Sequence, residues 1–429
     1  MKELQKYPAD KFRYTFSVTD LILWAVEYCW ALLIILNGNS ILRAIPGKDV
    51  RLMPLIAAMT VGLLVLNLMF GKIGIRKRNF SIAVALFLYA FVYFVFQYHN
   101  MAATNYLCLF VVGLPCLFLL FAELHRKNRL LQLFGRFVNL ICVLSALSLF
   151  FWFFGTLLGL MAPNMSTQIA WGGFSSIDGY WGLHFQFQRE TTFSTYIYRN
   201  TGVFTEAPML NLWCNLALAF ELFLKPKTSK FKVVVFVLTV ITTFSITGYF
   251  FVALCVLLKC LKDIRKRKAI FKALLGLTLL VAVPAAIYAA YELMALKAET
   301  ESFAMRMSDY VGGVQLWLNY PLIGSGFGNL EPLMEYVYSP DGTVGFSNSV
   351  AAVLGTGGLW MSLLYYVPYV MSVFPRATKS RAFACFGICI LYLFITTIFI
   401  GRYIAVVLIA LEMAVLLEKG YNETIGVRP

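Results

Sequence analysis

Apolar runs long enough to cross a bilayer alternate along this chain with short polar segments. A hydrocarbon core of about 30 Å needs roughly 20 helical residues. On that ruler the sequence predicts spans near 20–37, 52–70, 80–97, 104–122, 137–160, 203–224, 273–293 and 349–374. Two further regions, 231–258 and 382–418, are each too long for one comfortable span. Lys225, Lys227, Lys230 and Lys232 precede the first of them, and Lys259, Lys262, Arg265, Lys266, Arg267, Lys268 and Lys272 follow it. Positive charge marks cytoplasmic ends, so the chain must go out and return. The break belongs at Thr242-Thr243-Phe244-Ser245-Ile246-Thr247-Gly248, where hydroxyls can satisfy freed backbone groups. The same logic splits the last region at Gly401-Arg402, between Arg381 and Lys419. All four half-spans are short, and unwound backbone at membrane depth is tolerated only where it lines a protein cavity.

The expected fold is therefore an all-α polytopic membrane protein of about 12 transmembrane helices, two of the pairs short and broken. Residues 1–429 form a single integral membrane domain in this reading, with both termini cytoplasmic. Cytoplasmic segments then hold 28 of the 36 Lys and Arg residues, and flipping the chain would invert that bias. Composition agrees: 60% of the 429 residues are hydrophobic and 13% charged, with a mean hydropathy of +0.76. No soluble interior of this length hides so much apolar surface, which excludes a soluble enzyme, a nucleic-acid-binding module and a disordered regulator. The net charge of +15 lies in short clusters between apolar runs, as orientation signals do. The polar stretch MKELQKYPADKFRY does not read as a signal peptide, so the first apolar run is expected to be retained. Nine cysteines sit in or beside apolar stretches and read as small buried hydrophobes.

Two long loops face outward on this topology. Residues 161–202 carry Trp171, Phe174, Tyr180, Trp181, Phe185, Phe187, Phe193, Tyr196 and Tyr198; residues 294–348, expected to hold short helices, carry Glu299, Glu301, Arg306, Asp309, Glu331, Glu335 and Asp341 besides aromatics. Loops of this length are functional or disordered, and sustained aromatics argue against disorder.

Cations are scarce outside, so each needs a reason. Glu206 lies in Gly202-Val203-Phe204-Thr205-Glu206-Ala207-Pro208 at the start of a span. It is either a carboxylate stabilised by the helix dipole and by Arg199, or a general base placed to take a proton from a sugar hydroxyl. Arg306 either pairs with Asp309 three residues on or holds an anion, since guanidinium matches phosphate oxygens bidentately and keeps its proton. Arg199 and Arg306 converging from separate loops would suit a lipid diphosphate, and Arg189 in the aromatic loop is a further substrate-binding candidate. Asn348 is a helix cap or a hydrogen-bond donor to substrate. The run Tyr320-Pro321-Leu322-Ile323-Gly324-Ser325-Gly326-Phe327-Gly328 lacks the βαβ surroundings of a dinucleotide loop and reads as a tight turn. Glu299, Glu301 and Asp309 form no tight metal motif, and no ATP-binding loop is present, so no metal and no cofactor are expected. His184 is the one histidine placed where it could touch substrate.

Four features in order resemble the O-antigen polymerase and ligase superfamily. They are Arg199-x-x-Gly202-Val-Phe-x-Glu206-x-Pro208 entering a span, the broken pair with Thr-Phe-Ser-Ile-Thr-Gly, Arg306 followed by Tyr-Pro-Leu-Ile-Gly-Ser-Gly-Phe-Gly, and Asn348 before a glycine-bearing span. The resemblance implies an architecture similar to C-type glycosyltransferases. It also implies an undecaprenyl-diphosphate-linked oligosaccharide as donor and acceptor, and reaction at the outer face of a bacterial cytoplasmic membrane without nucleotide sugar. In that family, arginines of the two large loops engage the diphosphate, here carried to Arg199 and Arg306. Ser347 stands where the ligase branch has a histidine, which favours a polysaccharide repeat-unit polymerase over a ligase; a chain-length regulator protein is a further expected partner. The alternatives are O-antigen-ligase-type transfer or a lipid-linked oligosaccharide flippase. Transporters more often show repeated halves and midplane charges, whereas the charges here collect at the outer edge.

Overall fold

A computed structural model describes residues 17–47, 52–171, 174–192, 195–264, 269–270, 288, 301–337 and 345–418. The described chain is mostly helical and polytopic: α1 Val18–Asn37, α2 Leu52–Met69, α3 Lys77–Gln97, α4 Ala103–Arg126, α5 Leu130–Leu157, α6 Ala207–Leu224, α7 Lys230–Thr242, α8 Ile246–Asp263, α9 Glu301–Asn319, α10 Ser349–Ser372, α11 Arg381–Thr396 and α12 Tyr403–Leu417. Among the described residues seven of these, α1 to α6 and α10, are long and apolar enough to cross a membrane, while α11 and α12 are shorter apolar helices. The expected span at 273–293 lies outside the described residues.

Where charge logic requires a return, the helix stops. Residues Thr243–Ser245 separate α7 from α8, with Phe244 in left-handed backbone (φ 49°). The last helical carbonyls of α7 are closed by its own hydroxyls, Thr242 Oγ1 donating to Thr239 O (2.8 Å) and Thr243 Oγ1 to Val240 O (2.6 Å). The carbonyls freed beyond them are taken from outside: Asn200 N–H donates to Thr242 O (2.9 Å) and Arg199 Nε to Thr243 O (2.8 Å). A second break, Thr397–Arg402, separates α11 from α12. There Ser349 Oγ donates to Thr397 O (2.7 Å), Tyr365 Oη to Ile400 O (2.8 Å), and Asn37 Oδ1 accepts from Tyr403 N–H (2.9 Å). Neither break leaves its backbone to be satisfied by lipid, which is the condition for unwinding within a bilayer.

α12, apolar all round apart from Glu412, is accordingly central. Residues Tyr403 to Leu411 are at most 2% exposed, and the helix packs on α4 and α10. Trp30 and Tyr403 both reach Thr60 Oγ1 (2.9 and 2.7 Å), fastening α1, α2 and α12 together. At the opposite end of the bundle Glu123 is fully buried; its carboxylate accepts from Arg76 N–H (2.9 Å), Asn79 Nδ2 (3.0 Å), and Arg126 Nε and Nη2 (2.8 and 2.6 Å). Removing one side of a buried ion pair strands the other, at about 3–5 kcal/mol. Glu123→Ala is thus expected to cost about that much, read as a lowered Tm of the detergent-solubilised protein; an unchanged Tm would mean that the network contributes nothing.

One expectation is corrected. The fold is not all-α, because the segment 161–202 carries five β-strands: β1 Met165–Ala170, β2 Phe174–Tyr180 and β3 His184–Gln186 in one antiparallel sheet, and β4 Arg189–Thr192 with β5 Thr195–Tyr198 in a hairpin. Ile169, Ile177 and Phe185 turn to one side and bury against Ile41 and Ala44, forming a small second core. Trp181 and Gly182 (φ 54° and 70°) supply the left-handed pair that turns β2 into β3. β-Branched and aromatic residues alternating with Ser, Gln and Asp give a sheet one apolar face to bury, a pattern of period 2 that aromatic density alone conceals.

Candidate active site

The two breaks, the start of α6 and Trp171, in the turn after β1, close around one cavity of about 1230 Å³. The first break lends it Phe244 to Thr247, the second Thr396 to Arg402, and the α6 start Glu206, Pro208 and Met209. Trp171, Arg199, Ser347 and the turn residues Phe327 and Gly328 complete its polar and aromatic lining, with α4 and α10 behind.

Glu206 is placed by its neighbours in sequence. Gly202 takes left-handed backbone (φ 56°), after which Val203 to Thr205 pass beside Asn39 to Ile41, bridged at Phe204 and Ser40 and bonded through Ile41 N–H to Val203 O (2.9 Å) and Thr205 N–H to Asn39 O (3.0 Å). Glu206 then stands at the N-cap of α6, with Pro208 in the first turn, where a missing N–H costs nothing. Its Oε1 accepts from Trp171 Nε1 (2.8 Å). Arg199 Nε donates to Thr243 O (2.8 Å), which fastens that side chain to the first break. The carboxylate is oriented by an indole and opens on the cavity, the arrangement of a positioned base.

The glycine run 320–328 is the tight turn expected of it. Leu359 N–H and Trp360 N–H donate to Pro321 O and Leu322 O (both 2.9 Å), because α10 departs from helical geometry at Gly358 (φ 60°) and opens its backbone there. Gly324 (φ 69°) and Gly326 (φ 112°) allow the turn to seat: a Cβ on either would strike the carbonyl of Thr356 or Asn100. This seating carries Phe327 and Gly328 to the cavity wall.

The other candidates divide. Asn348 is 2% exposed and caps α10, its Oδ1 accepting from Ala351 N–H (2.7 Å); Ser347 beside it, not Asn348, is among the cavity-lining residues. Arg189 lies exposed on β4, stacked 4.9 Å from the Tyr198 ring centre and donating to Tyr198 Oη (2.6 Å). The side chain of Arg306, on α9, is outside the described residues, as are Glu299 and the side chain of Glu301. Asp309 accepts from Ser347 N–H (2.9 Å), tying α9 to the cavity rim. Among the described residues no group of three His, Cys, Asp or Glu gathers as metal ligands would.

His184 is buried in the sheet, 3.0 Å from Thr156 Oγ1. Burial pushes its imidazolium form down to about 3, a hydrogen bond toward Asn200 opposing the shift. An exposed His takes its proton near 6.5, so between about 6.5 and 3 the unfolded segment binds a proton that the folded one refuses. Stability of the sheet is expected to be complete above about 6.5 and to fall as pH drops through that window. Protection factors from hydrogen exchange in β2 and β3, measured between pH 7 and 4.5, should decline, and decline less in His184→Gln; equal slopes would overturn the assignment.

Arg402 is the lining residue that sequence reasoning left unused, having served there only to mark the second break. Its one available signal was its place, a lone cation inside the apolar region 382–418.

Compared with known proteins, residues 231–366 match the family model described as O-antigen ligase, in accord with the superfamily resemblance read from the sequence. The matched stretch contains the first break, the glycine turn and Ser347, while Arg199, Glu206 and the second break flank it. No curated protein and no solved structure matches the chain.

Proposed function

From the O-antigen ligase domain at 231–366, we propose that this membrane glycosyl-transfer protein polymerises undecaprenyl-diphosphate-linked oligosaccharide repeat units into surface polysaccharide, at the outer face of a bacterial cytoplasmic membrane. The carrying observation is that Glu206 and Arg199 line the same cavity between two unwound helix pairs. The positive-inside bias of the sequence supports cytoplasmic termini and, with them, a cavity facing the outer leaflet.

In this reading a growing chain on its lipid diphosphate is the donor, and a hydroxyl of a second lipid-linked unit is the acceptor. The acceptor oxygen bonds to the anomeric carbon as the bond from that carbon to the diphosphate oxygen breaks. The electron pair leaves with the diphosphate, and the hydroxyl proton passes to the Glu206 carboxylate. Guanidinium groups fixed in a water-poor site stabilise the charge developing on the leaving group, and Arg199 is held for this by its bond to Thr243 O. Ser347 cannot replace a histidine as base, so in this reading the proton falls to Glu206, and the missing histidine favours chain growth over ligase-type transfer. Trp171 closes the cavity over sugar rings and excludes water, protecting the donor from hydrolysis. A chain-length regulator would act from outside this cavity.

Purified protein given a defined lipid-linked repeat unit, with and without chelator, is expected to produce a ladder of products on lipid diphosphate. A single transfer to a foreign glycan acceptor, with no ladder, would establish the ligase-type reading. No transfer, together with unpolymerised units trapped on the cytoplasmic side in cells lacking the protein, would establish the flippase.

A further inference from the structure

We infer that Arg402 is a second diphosphate-binding residue, presented by the break between α11 and α12, while Arg199 is held against the break between α7 and α8 by its bond to Thr243 O. The inference rests on the glycosyl-transfer reading and extends it to a residue outside the matched domain.

Arg402 lines the cavity and caps the N-terminus of α12, a helix of 15 residues whose amide dipoles add positive potential at that end. Among the described residues no side-chain hydrogen bond or ion pair engages its guanidinium, whereas Arg43 nearby donates from Nη1 to Asn37 O (3.0 Å) and Arg199 from Nε to Thr243 O. Burial disfavours the Arg402 cation most, the Arg43 guanidinium repels it as well, and the Glu206 carboxylate attracts it. A half-buried cation beside another cation is unfavourable unless an anion joins them. Among the described lining residues the two guanidinium groups, Arg199 and Arg402, face one cavity with the carboxylate Glu206, an arrangement that suits a multiply charged anion. Guanidinium forks match phosphate oxygens in pairs. The cavity lies among apolar helices at the level of two unwound breaks, which suits an anion carried on a lipid chain, taken here as the lipid diphosphate of the glycosyl-transfer reading.

Two measurements test this with full-length protein in nanodiscs. In the wild type, modification of Arg402 by phenylglyoxal, followed by peptide mass mapping, should slow several-fold with undecaprenyl diphosphate and stay unchanged with undecaprenol. Protection by inorganic pyrophosphate but not by the lipid would overturn the lipid assignment, and protection by neither would overturn the inference. Binding of undecaprenyl diphosphate, followed by native mass spectrometry, should weaken about 10- to 100-fold in Arg402→Gln, the range of a hydrogen bond to a charged group, and less in Arg402→Lys. Equal binding by wild type and both variants would remove Arg402 from the site while leaving the glycosyl-transfer reading intact. A wild type that binds no lipid diphosphate would bring that reading down and the role of Arg402 with it. Should Arg402→Gln not fold, the modification arm on native protein and Arg402→Lys decide alone.

Discussion

Glu206→Gln is expected to fold, insert and bind donor normally, yet transfer sugar at least about 100-fold more slowly, the lower end of what a positioned base contributes. The substitution keeps shape and keeps an oxygen able to accept from Trp171 Nε1, so the geometry at 2.8 Å should survive. What disappears is the capacity to take a proton. Initial rates of polymer formation, normalised to protein and compared with donor binding, separate the two effects. A variant within threefold of wild type would show that the proton goes elsewhere and that Glu206 merely caps α6.

Arg199→Ala is the second large effect expected, about 100- to 1000-fold in transfer, as for loss of one donor to a developing oxyanion. Here a structural contribution must be subtracted, because Arg199 Nε also closes the carbonyl of Thr243. Loss of that bond alone costs about 1 kcal/mol of stability, which a thermal melt reads independently of rate. Arg199→Lys restores charge without the planar fork and should recover part of the rate. Cells with normally expressed Arg199→Ala protein that still build long polymer would defeat the assignment.

Much of this architecture is legible because a bilayer imposes it. Lysines at both ends of 231–258 force a return, and the chain breaks within the hydroxyl-rich stretch that can satisfy its own carbonyls. Glycines at 324 and 326 announce a turn that only their missing Cβ atoms let seat. The sheet at 165–198 escapes notice because strands of three to seven residues carry too few alternations to outweigh the aromatic content of the segment. Arg402 escapes for another reason. Its significance depends on Asn39, Glu206 and Arg199 sharing its cavity, and those positions are brought together only by tertiary packing. Asn348 shows the converse: local sequence names it as a cap, and its amide oxygen is spent on Ala351 N–H.

The shortness of α11 and α12 has a mechanical consequence. At 16 and 15 residues they reach about 22–24 Å, against the roughly 30 Å of hydrocarbon in an ordinary bilayer. Where they stand, the protein offers a hollow edged by Arg199, Glu206 and Arg402 in place of the missing length, so a headgroup would be able to sink below its usual plane without dragging its tail out of the oil. Sugar joining would then proceed in a dimple beneath the membrane surface, and lipids of different acyl length, by deepening or flattening that dimple, should tune how readily the chain grows.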